Sequence, residues 1–402
     1  MNILIVNTYY FPNIIGGAEI SVKKLAEGLV ANGHEVHIIC TDVKDDNEII
    51  NGVNVHRIKL SNIYQPIELR NKNILKKMIG RINDIYNMFN RKKLKEAILE
   101  ISPDIMHVNN IYGISPAIWN LAKDMEIKLV HTIRDYYLMC PKISMLKENK
   151  ICNKKNIVCK VFCNINRNIS NKVDFVTAPS QYTLDTFIND GFFNLSKKEK
   201  VFNAIDFDQK MVREIYFSKN FNISNDKIIK FVFMGSLNKN KGIDLLLKAF
   251  SEVRNKEIEL IIAGKGPLEQ MVNEYCNMDK RIHYKGFLRE EKINAILRES
   301  HVLVAPSVWN EPFGRVVIDA YKNCMPVIAG NYGGLKEIVK NDFTGKLIEP
   351  NNKNEFIKTI EYFTNRSIIK QMLKNCMDEL AEYSIQKQVE HFENIYKICL
   401  ED

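Results

Sequence analysis

Val304-Ala305-Pro306-Ser307-Val308-Trp309-Asn310-Glu311-Pro312-Phe313-Gly314-Arg315-Val316-Val317-Ile318-Asp319-Ala320 decides how this chain is read. An apolar strand runs out by Ser307, a loop carries Glu311 and Gly314, and a helix begins near Arg315. The start of such a helix leaves backbone N–H groups unpaired and carries the positive end of the helix dipole, which together bind phosphate. Gly314 lets the backbone come close to a ligand. Glu311 stands before the helix and Asp319 about one turn inside it. The two carboxylates can therefore grip opposite ends of one ligand, with its phosphates between them. Carboxylates also accept hydrogen bonds from sugar hydroxyls.

Working outward, strand and helix alternate along most of the chain. Ile3 to Val6 reads as a strand, a loop with Gly16-Gly17 follows, and Ser21 to Ala31 places Val22, Leu25, Ala26 and Leu29 at helical spacing before Gly33. Val36 to Cys40, Ile105 to Val108, Leu129 to Ile133 and Phe175 to Ala178 read as further strands. Tyr216 to Lys227 is polar and reads as irregular, a domain boundary. The alternation restarts with Phe231 to Met234, the helix Asp244 to Val253, and strands at Ile258 to Ala263, Ile282 to Lys285, Val302 to Ala305 and Pro326 to Ala329. The expected fold is α/β, with two Rossmann-like doubly wound domains facing a central cleft. Residues 1–205 form the first, 206–367 the second, and a C-terminal segment from about 368 to 402 packs back on the first. Ligands of such sheets bind at the carboxyl ends of the strands.

The motifs, in their order, resemble glycosyltransferase family four. The family signature is a glutamate, seven residues and a second acid, framed by proline, phenylalanine and glycine. Here it is Glu311-Pro312-Phe313-Gly314 and then Asp319. The resemblance continues through Gly333-Gly334-Leu335-Lys336-Glu337, Gly235, Lys241-Gly242, Gly264-Lys265-Gly266-Pro267 and Gly286-Phe287. In the first half it rests on Gly16-Gly17-Ala18-Glu19, Asp104-Ile105-Met106-His107 and Asp135-Tyr136-Tyr137.

The resemblance implies a GT-B fold, a nucleotide-diphosphate sugar donor and retention of anomeric configuration. It implies that Glu311 holds donor-sugar hydroxyls, that Asp319 holds the ribose, and that Lys241 and the N–H groups of Phe313, Gly314, Arg315 and Val316 hold the diphosphate. Gly16, Gly17 and Gly264 join the donor site, with base contacts from the backbone near Phe287 and Leu288. It also implies closure of the cleft on donor binding. Charge grows on the departing nucleotide, and fixed donors with a cation stabilise it, so no cofactor is required.

Three positions depart from the family pattern. Ser236, a donor-site candidate, replaces an arginine, so one diphosphate contact is lost or supplied elsewhere, with Arg315 a candidate. Arg134 replaces a histidine before Asp135 and faces either the transferred sugar or an acceptor phosphate. Asp319 is one methylene shorter than the usual glutamate. His107 and Asp135 are acceptor-side candidates; His107 at a strand end also reads as an ordinary packed histidine.

Residues 1–203 hold 28 Lys+Arg against 20 Asp+Glu, whereas the remainder holds 29 against 28. A basic excess in one half points to an anionic partner. Residues 70 to 99 read as one basic amphipathic helix, either a solvated surface helix or one lying on an anionic membrane. Cys140, Cys152, Cys159 and Cys163 cluster in a lysine-rich insert. They read either as a structural zinc site or as packed thiols. No apolar run is long enough to span a bilayer, and the first residues lack a leader pattern. The expected location is the cytoplasm, with a peripheral seat on the inner membrane face as an option. The expected acceptor is a glycan or a lipid-linked glycan. A basic nucleic-acid-binding protein is the reading from another class, but it lacks recognition motifs and leaves the Glu311 region unexplained. A GT-B enzyme of another kind, such as a nucleotide-sugar epimerase or a phosphorylase, is a nearer rival. A catalytically silent binding module would have no use for both Glu311 and Lys241.

Overall fold

The computed structural model describes residues 1–60, 90–141, 143–147, 150–152, 154–349 and 351–401. The chain divides into two compact units. The first comprises Met1–Leu146, Cys152–Ala204 and Ile385–Asp402, and the second Lys147–Ile151 and Ile205–Ser384.

The first unit is built on β1 (Asn2–Val6), β2 (Glu35–Thr41), β3 (Asp46–Ile50), β4 (Val53–Ile58), β5 (Ile105–Val108) and β6 (Lys128–Thr132). After the short β7 (Leu146–Lys147) and β8 (Lys150–Ile151), which pair with each other, come β9 (Phe175–Ala178) and β10 (Lys197–Lys200). The eight-stranded sheet runs β10-β9-β6-β5-β1-β2-β4-β3. It is parallel except where β3 pairs antiparallel with β4. Its helices are α1 (Gly17–Ala31), α2 (Arg91–Ile101), α3 (Ala117–Asp124), α4 (Ile157–Ser170) and α5 (Gln181–Asn189). The central strands are covered on both faces, which is why they read as continuous apolar runs. Ile3, Ile5, Val36, Ile38, Ile105 and Val130 form one core with Val22, Leu25 and Leu29 of α1.

In the second unit, α6 (Gln209–Asn222) precedes β11 (Ile229–Met234). Then follow α7 (Ile243–Glu252), β12 (Ile258–Ala263), α8 (Glu269–Met278), β13 (Ile282–Tyr284), α9 (Glu290–Glu299), β14 (Val302–Ala305) and α10 (Arg315–Lys322). The unit ends with β15 (Val327–Gly330), α11 (Leu335–Ile338), β16 (Gly345–Ile348), α12 (Lys353–Tyr362) and α13 (Arg366–Glu379). The all-parallel sheet runs β13-β12-β11-β14-β15-β16. Strand order reverses beside β11, between β12 on one side and β14 on the other. The carboxyl ends of β11 and β14 therefore flank the crevice where doubly wound sheets take their ligands.

Two expectations need correcting, and a third falls largely outside the described residues. Of the polar stretch read as irregular, Tyr216 to Asn222 belongs to α6, whose start is held by the Asp208 carboxylate accepting from the Lys210 and Met211 N–H groups, and 223–227 is irregular as expected. The chain returns to the first unit at α14 (Ile385–Glu401), later than residue 368, because Ile369, Met372 and Leu373 of α13 lie in the second unit's core. Of the basic helix expected over 70–99, residues 70–89 lie outside the described residues. In the described part, Arg91 is paired with Asp124 and Lys93 with Asp45.

Candidate active site

Glu311 stands in the loop between β14 and α10 and is only 8% exposed. Its Oε1 accepts from Lys241 Nζ at 2.8 Å and from the Ser307 hydroxyl. Lys241 ends a single 3-10 turn, Lys239–Lys241, that follows β11. Its backbone N–H donates to Asn238 Oδ1, and its ammonium lies 5.9 Å from the centre of the Trp309 ring. The two loops flanking the crevice thus meet in one ion pair. The Glu311 backbone is fixed as well, since its N–H donates to Trp309 O and its carbonyl accepts from Gly334 N–H at 2.7 Å. That bond gives the Gly333-Gly334 turn a role in shaping the loop.

Gly314 caps α10 with φ of +126°, and a Cβ there would lie 2.3 Å from Leu335 Cδ2. Only glycine adopts this conformation without strain. Phe313 is buried against the edge of Tyr383. Arg315 and Val316 begin the helix, and Arg315 Nε lies 3.9 Å from Asp319 Oδ2 one turn on. Burial pushes the Asp319 carboxyl up, against the opposing pull of Arg315 and Lys322. Among the described residues, Arg315 Nη1 is buried without a hydrogen-bond partner.

The remaining second-unit candidates separate. Ser236 accepts from the Asn238 amide at 3.0 Å and so belongs to the turn carrying Lys241. Gly264 serves packing: a Cβ there would lie 1.8 Å from Gly235 O, so two strand-end loops touch backbone to backbone. Phe287 is 67% exposed, with Lys265 Nζ 5.8 Å from its ring centre, and Leu288 is half-buried beside it.

In the first unit, Gly16 and Gly17 are exposed at the start of α1, and the Gly16 N–H donates to the buried Glu19 carboxylate at 2.7 Å. Arg134, just after β6, is 8% exposed. Its Nε donates to Asn109 Oδ1 at 2.9 Å and its Nη1 to Asn203 Oδ1. Burial lowers its pKa to about 10. Asp135 accepts from the Tyr137 N–H, yet burial, helped by the Glu19 charge, pushes it up to about 6. His107 is not available to an acceptor. It is fully buried, with Nδ1 2.7 Å from the Tyr396 hydroxyl and Nε2 2.6 Å from Thr132 Oγ1, and burial holds its pKa well below the usual range. It is a core histidine.

Ser307, Asn109, Asn203, Asn238 and Trp309 were not singled out by the sequence. Their types are common in loops, and only the folded chain brings them to Glu311, Lys241 or Arg134. The four clustered cysteines are not gathered into a tetrahedral set. Cys163 Sγ donates to Met139 O and Cys152 Sγ to Lys154 O. Among the described residues, no three His, Cys, Asp or Glu side chains come together to hold a metal ion.

Comparison with known proteins identifies the family. A model of glycosyl transferases group 1 matches residues 214–379, and one of glycosyltransferase family 4 matches residues 15–209. The chain belongs to the group 1 glycosyltransferases. An uncharacterised 42.6 kDa protein in the cps region of Klebsiella pneumoniae is 31% identical over 340 residues, 84% of this chain and 87% of that protein. A UDP-Gal:α-D-GlcNAc-diphosphoundecaprenol α-1,3-galactosyltransferase of Escherichia coli is 32% identical over 141 residues, 34% of this chain and 36% of that protein. Among solved structures, Anabaena HepE in complex with UDP aligns with a TM-score of 0.71 at 16% identity, covering 99% of this chain and 100% of that one. This glycosyltransferase thus has the two-domain GT-B fold. Among its described residues, no helix is long and apolar enough to cross a membrane.

Proposed function

We propose that this protein is a retaining hexosyltransferase that takes a sugar from a nucleotide-diphosphate sugar and passes it to a lipid-linked or growing surface-polysaccharide glycan. The observation that carries the reading is the Lys241–Glu311–Ser307 cluster at the switch point, beside the start of α10. In this role the Glu311 carboxylate accepts from donor-sugar hydroxyls and Asp319 from the ribose. Lys241 and the first N–H groups of α10 meet the diphosphate. As the glycosidic bond breaks, negative charge moves onto the leaving nucleotide. A cation and amides already in place stabilise that charge without reorganising. In the free protein the Glu311 charge holds Lys241, so the pair is positioned before the donor arrives. These groups supply the positive charge themselves, so the reading invokes no metal or other cofactor.

The acceptor class is supported by the cps-region relative and by the diphosphoundecaprenol-linked acceptor named for the Escherichia coli relative. A seat on the inner face of the cell membrane fits the surface of α4. Ile157, Val158 and Val161 are 79%, 51% and 53% exposed on its first turns, and residues 149–173 carry six Lys+Arg and no acid. Apolar residues among lysines suit an anionic bilayer surface.

The test is transfer itself. Incubation with a panel of nucleotide sugars and a prenyl-diphosphate-linked sugar should release nucleoside diphosphate and form a glycoside of the donor's anomeric configuration, read by proton NMR. Nucleoside diphosphate release that ignores the acceptor, or an inverted product, contradicts the proposal.

A further inference from the structure

Arg134 is a buried cation whose partners leave its charge in place. Nε and Nη1 donate to the side-chain oxygens of Asn109 and Asn203. Among the described residues, Nη2 is buried with no hydrogen-bond partner and the guanidinium forms no ion pair with a carboxylate. A buried charge without a counter-charge is costly. Aspartate at either asparagine position would present the same acceptor oxygen and neutralise the group, but the sequence places amides there. The nearby groups give it no paired counter-charge. Burial holds His107 and His131 below the usual histidine range and Tyr396 well above the tyrosine range, and the Glu19 charge favours the cation without forming an ion pair with it. Two amides orient a planar fork and leave Nη2 without a partner. Guanidinium geometry suits phosphate, with two parallel N–H groups meeting two phosphoryl oxygens.

We infer that Arg134 seats a phosphoryl group of the acceptor, so that the acceptor is a phosphorylated or diphosphate-linked glycan and not a neutral one. The inference rests on the transferase reading above. The donor's diphosphate is assigned its own cation, Lys241, and the helix amides in the second unit. The surplus of positive charge lies in the half that carries Arg134.

The test uses the full chain with its donor site saturated by whichever nucleoside diphosphate binds it. Farnesyl diphosphate and farnesol are then titrated calorimetrically into wild type, Arg134→Gln and Arg134→Lys. Wild type should bind the diphosphate and not the alcohol. Arg134→Gln should weaken diphosphate binding about 10- to 100-fold, the loss of one or two charge-assisted hydrogen bonds, while Arg134→Lys should retain part of it. Nucleoside diphosphate affinity should be the same in all three. Because the apo protein buries this charge without a paired carboxylate, Arg134→Gln should melt at or above the wild-type temperature. Equal binding by Arg134→Gln, no preference for the diphosphate over the alcohol, or a substantially lower melting temperature overturns the inference. Weakened nucleoside diphosphate binding in Arg134→Gln would move the seat to the donor and overturn it as well. If no nucleoside diphosphate binds wild type, it is the transferase reading that fails.

Discussion

Replacing Glu311 by alanine separates stability from catalysis at this site. The carboxylate's Oε1 accepts from Lys241 and Ser307. Its removal leaves the buried Ser307 hydroxyl without this acceptor, a penalty of about 1–3 kcal/mol. The Lys241 side chain is 30% exposed and can recover water, so it adds little to that cost. The fold should therefore survive, with a melting temperature only a few degrees lower. Transfer should suffer far more. The variant loses the donor-sugar contact and the group that positions Lys241, and removing one preorganised group from such a site costs about 10²- to 10³-fold in kcat. Glu311→Gln keeps an acceptor for Ser307 while losing the charge, so it should melt closer to wild type and remain strongly impaired. The assay is acceptor-dependent release of nucleoside diphosphate, followed beside thermal melts. Near wild-type turnover by Glu311→Ala would refute the assigned role. Loss of turnover that merely tracked unfolding would refute the separation.

Other outcomes follow from particular residues. The Asp135 carboxyl rises from 3.8 to about 6 in the fold, so between those values the native state holds a proton that the unfolded chain has lost. Stability from this group therefore falls as pH rises through that window, by about 2–3 kcal/mol in all. Asp135→Asn should match wild type in urea melts at pH 4 and exceed it at pH 7.5, and equal differences at both pH values would contradict the shift. Gly314→Ala forces a side chain into φ of +126° and should cost about 1–3 kcal/mol while weakening nucleotide binding; an unchanged melt would show that the loop relaxes freely. Replacing Ile157, Val158 and Val161 together by asparagine should reduce sedimentation with phosphatidylglycerol vesicles and spare turnover of a water-soluble acceptor, whereas unchanged sedimentation would remove α4 from the membrane reading.

The sheets were legible because parallel strands buried on both faces leave short apolar runs, and β1, β11, β12 and β14 were read almost to the residue. The β3 edge strand was not, since Asp46-Asn47-Glu48 lies exposed and carries no apolar alternation. Helix α6 was missed because its sequence is mostly polar, although Asp208 was a readable start signal. Within the site, Glu311 and Lys241 were each identified by the pattern around them. Their pairing across 70 positions was not, because no local periodicity encodes it. The same holds for the asparagine clamp on Arg134, drawn from 25 and 69 positions away. His107 was ambiguous for a different reason: a strand-end histidine looks alike whether its partners are a ligand or, as here, Tyr396 and Thr132.

The most direct test of the central claim, a nucleotide-sugar site built on Lys241 and Glu311, is a thermal-shift screen of wild type and Lys241→Ala. The ligands are UDP, GDP, ADP and their common sugar conjugates. One nucleotide family should stabilise the wild type, by about 2.7 kcal/mol when present at one hundred times its Kd, and the shift should largely disappear in Lys241→Ala. A shift of equal size in the variant, or none with any nucleotide, would contradict the account.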